Sequence, residues 1–241
     1  MLPFNTDKCE KITFSRKRCP ILYEYKIKKD TLRCVNFVKD LGIILDSKLL
    51  FNMHIDHITL KSKRMIGFIK RNGTCYKNLE TMKILYSSFV RSILEFSSVI
   101  WDPGTQQGKD KIEKIQKRFL KYLYCKIFTY YPFEIIHKEL LVGFEIMSLK
   151  TRRCLAKLTF LRDILNNKIL NSNNLIHVQF RVPTLNTRNT DLFVTRRGSA
   201  SSMDNTLALY NNITQKDPGI DIFFMSRKQY ISSVIKVFEG M

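Results

Sequence analysis

Few side chains in this sequence stand at spacings that do chemistry by themselves. His54 and His57 form an H-x-x-H pair, a spacing that offers two imidazoles to one ion, but a structural zinc needs two further ligands and none is arranged nearby. The pair therefore reads as two polar residues at a helix start. Cys9, Cys19, Cys34, Cys75, Cys125 and Cys154 stand far apart with no C-x-x-C among them, so reduced thiols are expected rather than a metal knot or a disulfide framework. No two aspartates are adjacent, whereas two-metal nucleotide transfer needs clustered carboxylates. Asp40 and Asp46 read as turn and capping residues, not as metal ligands.

What the chain does arrange is positive charge. Between residues 109 and 124, Ile112, Ile115, Phe119 and Leu123 fall on one side of a helix, and Lys111, Lys114, Arg118 and Lys121 fall on the other. Residues 55 to 71 repeat the plan: Ile55, Ile58, Ser62, Met65 and Ile69 share one face, while Lys63, Arg64, Lys70 and Arg71 gather opposite. Four cations along one stripe are suited to tracking phosphates, although a charged stripe is also what a solvated helix face looks like. The near absence of acids from the stripe, and its recurrence on a second helix, favour nucleic acid. Gly67 projects to the basic side of the first helix, either as tolerated drift on an exposed face or as room for a phosphate backbone.

The whole composition points the same way. A formal charge of +20, from 41 Lys+Arg against 21 Asp+Glu, favours polyanions through counterion release, or an anionic membrane surface by simple attraction. Nucleic acid is the preferred partner. No apolar run approaches the roughly 18 residues that span a bilayer, and Met1–Asn5 lacks a signal-peptide pattern, so no membrane partner and an intracellular location are expected, with nucleus and cytoplasm both open. A hydrophobic content of 44% suffices for a core.

These helices need a frame. Residues 1 to 37 alternate short apolar runs with basic loops, as strands and turns do. Leu41, Ile43, Ile44 and Leu45 form a run too short for a helix, and the spacing predicts a short buried strand with Gly42 inside it as a bulge or close approach. Residues 78 to 101 predict the longest apolar helix, with Leu79, Met82, Leu85, Tyr86, Phe89, Ile93, Phe96 and Ile100 on one broad face, stopped by Asp102-Pro103-Gly104. Arg91 and Glu95 are spaced for an exposed i, i+4 pair. Trp101 reads as a packing anchor, with stacking on a base as its other role. A short helix opens near Pro132, and a long one is expected from about Phe144 to Asn166. After Asn171, Asn-rich turns, Pro183, Arg188 and Arg196-Arg197-Gly198-Ser199 predict a looser tail. The basic excess ends near residue 200: residues 151–200 carry nine Lys+Arg against two acids, and residues 201–241 carry four against four.

Taken in order, the blocks VKDLGIILDSKLLFNMHI (38–55), KSKRMIGFIKRN (61–72) and LYSSFVRSILEFSSVIWDP (85–103) resemble the far end of reverse transcriptases from non-LTR retrotransposons, particularly jockey-type and related insect LINE-like elements. FNTDKCEKITFSR (4–16) resembles the closing palm segment of that family, residues 130–169 resemble the segment after its thumb, and VPTLNTR and IDIFFMSRKQY resemble its terminal segment. The resemblance implies an α+β, mainly α chain. Residues 1–52 would be the end of the palm, small antiparallel strands with a primer-grip-like hairpin at Leu41, Gly42 and Ile43. Residues 53–128 would be a thumb-like helical region, and 129–241 a helical C-terminal extension with an irregular tail in which Arg152-Arg153 belongs to helices that buttress the thumb.

Asn5, Lys8 and Cys9 fall on the palm motif, and a lysine at that place would assist the leaving pyrophosphate. Lys8 is thus the candidate for direct chemistry, its other and favoured reading being a solvated loop lysine. The family's catalytic aspartates lie upstream of this segment, so the resemblance implies a fragment of an RNA-directed DNA polymerase that grips RNA template and DNA primer but is inactive alone. Mg2+ belongs to the complete enzyme, no cofactor is expected in this chain, and a missing upstream polymerase half is a possible partner. Two alternatives stay open: an autonomous basic module that binds RNA, DNA or protein, or a remnant without function, whose unpaired sheet edges would favour aggregation.

Overall fold

The chain folds back on itself at Leu41-Gly42. In the computed structural model, which describes residues 5, 9–21, 23–76, 78–130, 136–170, 172–182, 191–196 and 201–240, strands β5 (Phe37–Asp40) and β6 (Ile43–Asp46) pair antiparallel with Asp40 opposite Ile43. The two residues between them have positive φ, 44° at Leu41 and 89° at Gly42, as tight hairpin turns that match strand twist require. The sequence reading placed Leu41 and Gly42 inside a buried strand; instead they form the tip, and Leu41 is 86% exposed while Ile43 is buried. Gly42 is the reason. Its missing Cβ makes the left-handed conformation cheap, so the chain reverses there rather than bulging.

Among the described residues, four shorter strands precede the hairpin. β1 (Glu10–Lys11) pairs in parallel with β4 (Arg33–Cys34), and β2 (Lys26–Ile27) pairs antiparallel with β3 (Asp30–Thr31). Lys8, Pro132, Pro183, Arg188 and Arg197-Gly198-Ser199 lie outside the described residues.

Asp46 converts the end of the hairpin into a helix start. Its carboxylate accepts from the backbone N–H groups of Lys48 (3.0 Å), Leu50 (3.0 Å) and Phe51 (2.7 Å). Those bonds hold a turn in which Leu49 and Phe51 take positive φ, and α1 (Asn52–Asn72) follows at once. This is the turn and capping role its sequence position suggested.

The next apolar stretch is not the single helix that its composition predicts. α2 (Leu79–Tyr86) runs through a π turn (Ser87–Arg91) into α3 (Ser92–Glu95); the chain then breaks at Ser97 (φ 51°) before α4 (Ser98–Trp101). Met82, Tyr86, Val90 and Leu94 are buried, a four-residue repeat that an ideal helix would carry off the core and that the wider π turn keeps facing it. Phe89, Phe96 and Ile100, expected in the core, are 43%, 56% and 54% exposed. Trp101 is fully buried and donates its indole N–H to the Phe96 carbonyl at 2.6 Å, so it is a packing anchor.

α5 (Gln106–Phe128) closes this first core with Ile112, Ile115, Phe119 and Leu123. α6 (His137–Gly143) adds Leu140. α7 (Leu149–Leu165) starts at a Ser148 cap, five residues later than the sequence suggests, and the buried Gln116 amide fixes its entry by bonding Met147 O (3.0 Å) and Leu149 N (3.3 Å). A second core gathers on Leu158 and Leu161 of α7. After the short α8 (Ser172–Leu175), α9 (Ser202–Lys216) contributes Leu207, Tyr210 and Ile213, and α10 (Arg227–Glu239) contributes Tyr230 and Val234. The described part of the tail holds two further helices because apolar residues recur there at helical spacing and Ser226 with Gln229 forms a capping box; the Pro183, Arg188 and Arg197-Gly198-Ser199 stretches on which the looser reading rested lie outside the described residues. Small strands followed by a largely helical remainder make the chain α+β and mainly α. Among the described residues no helix is long and apolar enough to cross a membrane.

Buried ion pairs join α7 to the first core. Arg153, 1% exposed, donates to Asp102 Oδ1 at 2.8 Å, and Lys157 donates to Asp102 Oδ2 at 2.5 Å. Arg152 grips Glu95 through Nε and, at 3.0 Å, through Nη2, so the expected Arg91–Glu95 pair is left at 3.9 Å. Removing the shared acid strands two cations away from water. Asp102→Ala is therefore expected to lower stability by about 3 kcal/mol, read as a shifted midpoint in urea unfolding; an effect within a few tenths would mean that the cations find water instead.

Candidate nucleic-acid interface

α1 and α5 lie side by side and run in the same direction. Ile55 packs over Gly108, where a Cβ would come within 3.3 Å of Ile55 Cδ1. Further along, Lys111 pairs with Asp56 at 2.7 Å, the Lys70 ammonium sits 4.8 Å from the Tyr122 ring centre, and Lys126 donates to the Gly73 and Thr74 carbonyls at the end of α1. Contacts that advance together along both helices place Lys70 of α1 beside Arg118 of α5; Lys63 lies about two turns before Lys70 on α1, and Lys114 and Lys121 stand on either side of Arg118 along the outer face of α5. From Asp56 to Lys70 the ridge is about 21 Å long, a little over half a turn of B-form duplex.

The two stripes predicted from the sequence are thereby brought together along one seam, with two adjustments. Lys111 is held by Asp56 in a largely solvated pair, so the stripe is not unmixed in sign. Arg64 and Arg71 are exposed and lie further round α1, away from α5; the Arg71 Nη1 lies 3.4 Å from where a Cβ on Gly67 would be, so the glycine's space is used by the protein's own guanidinium. The crowding of like charges leaves a trace at Lys70. Burial first, and then repulsion from Arg118, push its ammonium below the ordinary lysine value. A phosphate laid along the seam would relieve that repulsion.

On the other flank of α1 the hairpin tip, α1 and α3 enclose a groove of about 390 Å³. His54 is the joint of this region. The Ile44 backbone N–H donates to His54 Nδ1 at 3.3 Å, and the imidazole packs edge-to-face on Trp101 with ring centres 5.1 Å apart. Accepting at Nδ1 fixes the neutral ring with its proton on Nε2, and that buried Nε2 has no hydrogen-bond partner among the described residues. An unmade bond of this kind costs about 1–3 kcal/mol. His57, by contrast, is exposed on the groove rim, so the H-x-x-H pair is one structural and one surface histidine.

The Mg2+ implied by the resemblance finds no donor set here. Both oxygens of Asp46 are engaged by backbone N–H groups, and among the described residues no three His, Cys, Asp or Glu side chains come together around one point. Leu41 and Gly42 of the primer-grip-like trio stand at the groove mouth, while Ile43 is turned into the core. Sequence reasoning missed Lys39, Lys61 and Phe96, which line the same groove from three different elements. Comparison with protein-family models, with curated proteins and with solved structures finds no match to this chain.

His54 also carries a pH dependence. Burial, then the nearby His57 charge, lower its pKa from 6.5 to about 4. The unfolded chain takes up that proton near pH 6.5 and the folded chain resists it, so stability is full above 6.5 and falls as pH drops from 6.5 toward 4. The loss from this residue is expected to be on the order of 2–3 kcal/mol. Urea unfolding of wild type and His54→Gln between about pH 7.5 and about pH 4.5 isolates it: the variant should be less stable at the upper end and lose less on acidification, and parallel curves would refute the assignment.

Proposed function

We propose that this chain is the nucleic-acid-gripping part of a reverse transcriptase of the non-LTR retrotransposon kind, holding a primer–template duplex without itself carrying the catalytic carboxylates. The observation that carries the reading is the α1/α5 ridge, on which Lys63, Lys70, Lys114, Arg118 and Lys121 line one seam. A polyanion fits that seam for a plain electrostatic reason: each phosphate neutralised releases condensed counterions, and the repulsion between neighbouring cations falls at the same time. The block order of the sequence supports the specific class. A tight hairpin at Leu41-Gly42 hands over within a few residues to the cation-faced helix, which is the order that the family's primer-gripping hairpin and thumb would take.

No catalytic step is assigned to this chain. The bound partner is an RNA–DNA hybrid, recognised through its backbones, and sequence preference is not expected because the ridge offers ammonium groups and one guanidinium rather than a constellation for reading base edges.

With about five phosphates engaged, the logarithm of affinity for a hybrid duplex should fall with the logarithm of salt concentration at a slope of about −4. Reversing charge at Lys114, Arg118 and Lys121 together should flatten the slope to about −2 and weaken binding at low salt at least tenfold, by about 1.4 kcal/mol or more. Fluorescence anisotropy with a labelled hybrid reads both quantities. Affinity that is indifferent to salt, or that survives the triple reversal, would make the stripe a solvated face; primer extension by the isolated chain would overturn the claim that it lacks the catalytic centre.

A further inference from the structure

We infer that the groove on the far flank of α1 binds unpaired nucleotides, so that the protein presents a second nucleic-acid surface of different chemistry from the ridge. The inference rests on the nucleic-acid reading above and narrows it. The groove is about 390 Å³, within the range of small-molecule sites, and is framed by the hairpin tip, α1 and α3. Its rim carries Lys39, His57 and Lys61, all exposed, and among the described residues no acid lines it. Phe96 forms one wall at 56% exposure, its ring edge 3.5 Å from the place a Cβ on Gly42 would occupy. His54 lines it from within, 2% exposed, its Nε2 buried and without a hydrogen-bond partner among the described residues.

Beyond the groove the same flank of α1 continues as exposed aromatic surface. Phe89, on the turn before α3, is 43% exposed and Phe68 of α1 is 45% exposed, with ring centres 6.2 Å apart. Rings open to solvent and cations beside them are what an unpaired nucleotide uses: a π face for the base and charge for the phosphate. A continuous duplex hides its base faces and would use only the cations. A second copy of this chain fits poorly, because each copy carries +20 and would bring Lys39 and Lys61 against cations of the other.

The test compares two probes, labelled oligothymidylate and a blunt RNA–DNA hybrid, on the full chain. Phe96→Leu should weaken oligothymidylate binding about tenfold and leave hybrid binding within about twofold, while Phe96→Tyr should keep both. The Phe96 carbonyl that holds Trp101 is main chain, so thermal unfolding of these variants is expected to match wild type. Equal weakening on both probes would mean one undivided surface and would overturn the proposal, as would unchanged oligothymidylate binding by Phe96→Leu. So would self-association in sedimentation that Phe96→Leu abolishes, since a second copy would then be the occupant. Wild-type protein that binds neither probe fails the gripping function as well. Hybrid binding that responds to the ridge reversal, beside oligothymidylate binding that ignores Phe96, fails this inference alone.

Discussion

The neutral imidazole of His54 is the constraint on which the functional face depends. One ring takes the Ile44 N–H from the hairpin, packs its edge on Trp101 from α4, and belongs to the first turn of α1. The hairpin and α1, neighbours in sequence, are thereby set at one point with the later α4, and the hairpin tip can lie only where that bond lets it. Protonation would replace the acceptor by a second N–H aimed at the Ile44 N–H, which is why burial and geometry demand the same charge state. Asp46 supports the joint from the other side by holding the turn into α1 through backbone N–H groups. The groove and the direction of the ridge both follow from how α1 leaves this joint.

A chain with so large a positive excess must also place its few acids well. Glu95 is taken by Arg152, Asp102 by Arg153 and Lys157, and Asp163 by Arg227 with Arg162 nearby. These pairs stand where α7 meets the first core and α10, and Arg152, Arg153, Lys157 and Arg162 among the cations they compensate are buried or partly buried while Arg227 is exposed. The consequence is segregation: these three acids are committed away from the ridge, and along the seam Asp56 faces Lys111. The residual charge is a product of packing as much as of composition.

How much of this was legible in the sequence varies with the physics behind each element. α1 and α5 were readable because their burial follows an ideal helical period, and Ile55, Ile58, Ile69, Ile112, Ile115, Phe119 and Leu123 are buried as that period requires. The stretch from Leu79 to Trp101 misled because a π turn changes the period; the four-residue spacing of Met82, Tyr86, Val90 and Leu94 was the available signal, and Phe89 and Phe96 surfaced as a result. At Leu41 an apolar side chain sits at a solvent-exposed hairpin tip, against its own preference, and only Gly42 beside it marked the turn. The ridge required knowing that α1 and α5 lie parallel, and the groove required three elements to meet. Neither is a property of any window of sequence.

α1 is shared by both surfaces, and that sharing limits what can occupy them together. A helix with its side chains is only about 10–12 Å across, so a nucleic acid lying on the ridge reaches the groove within that distance. On the proposed reading the ridge would support a little over half a duplex turn by electrostatics alone, which salt screens, and the groove and the rings beside it would act by stacking, which salt barely touches. A long uninterrupted duplex would satisfy the first and leave the second empty. On the proposed reading the arrangement therefore favours a place where paired and unpaired strands adjoin, because only there are cations and exposed rings both used by one ligand.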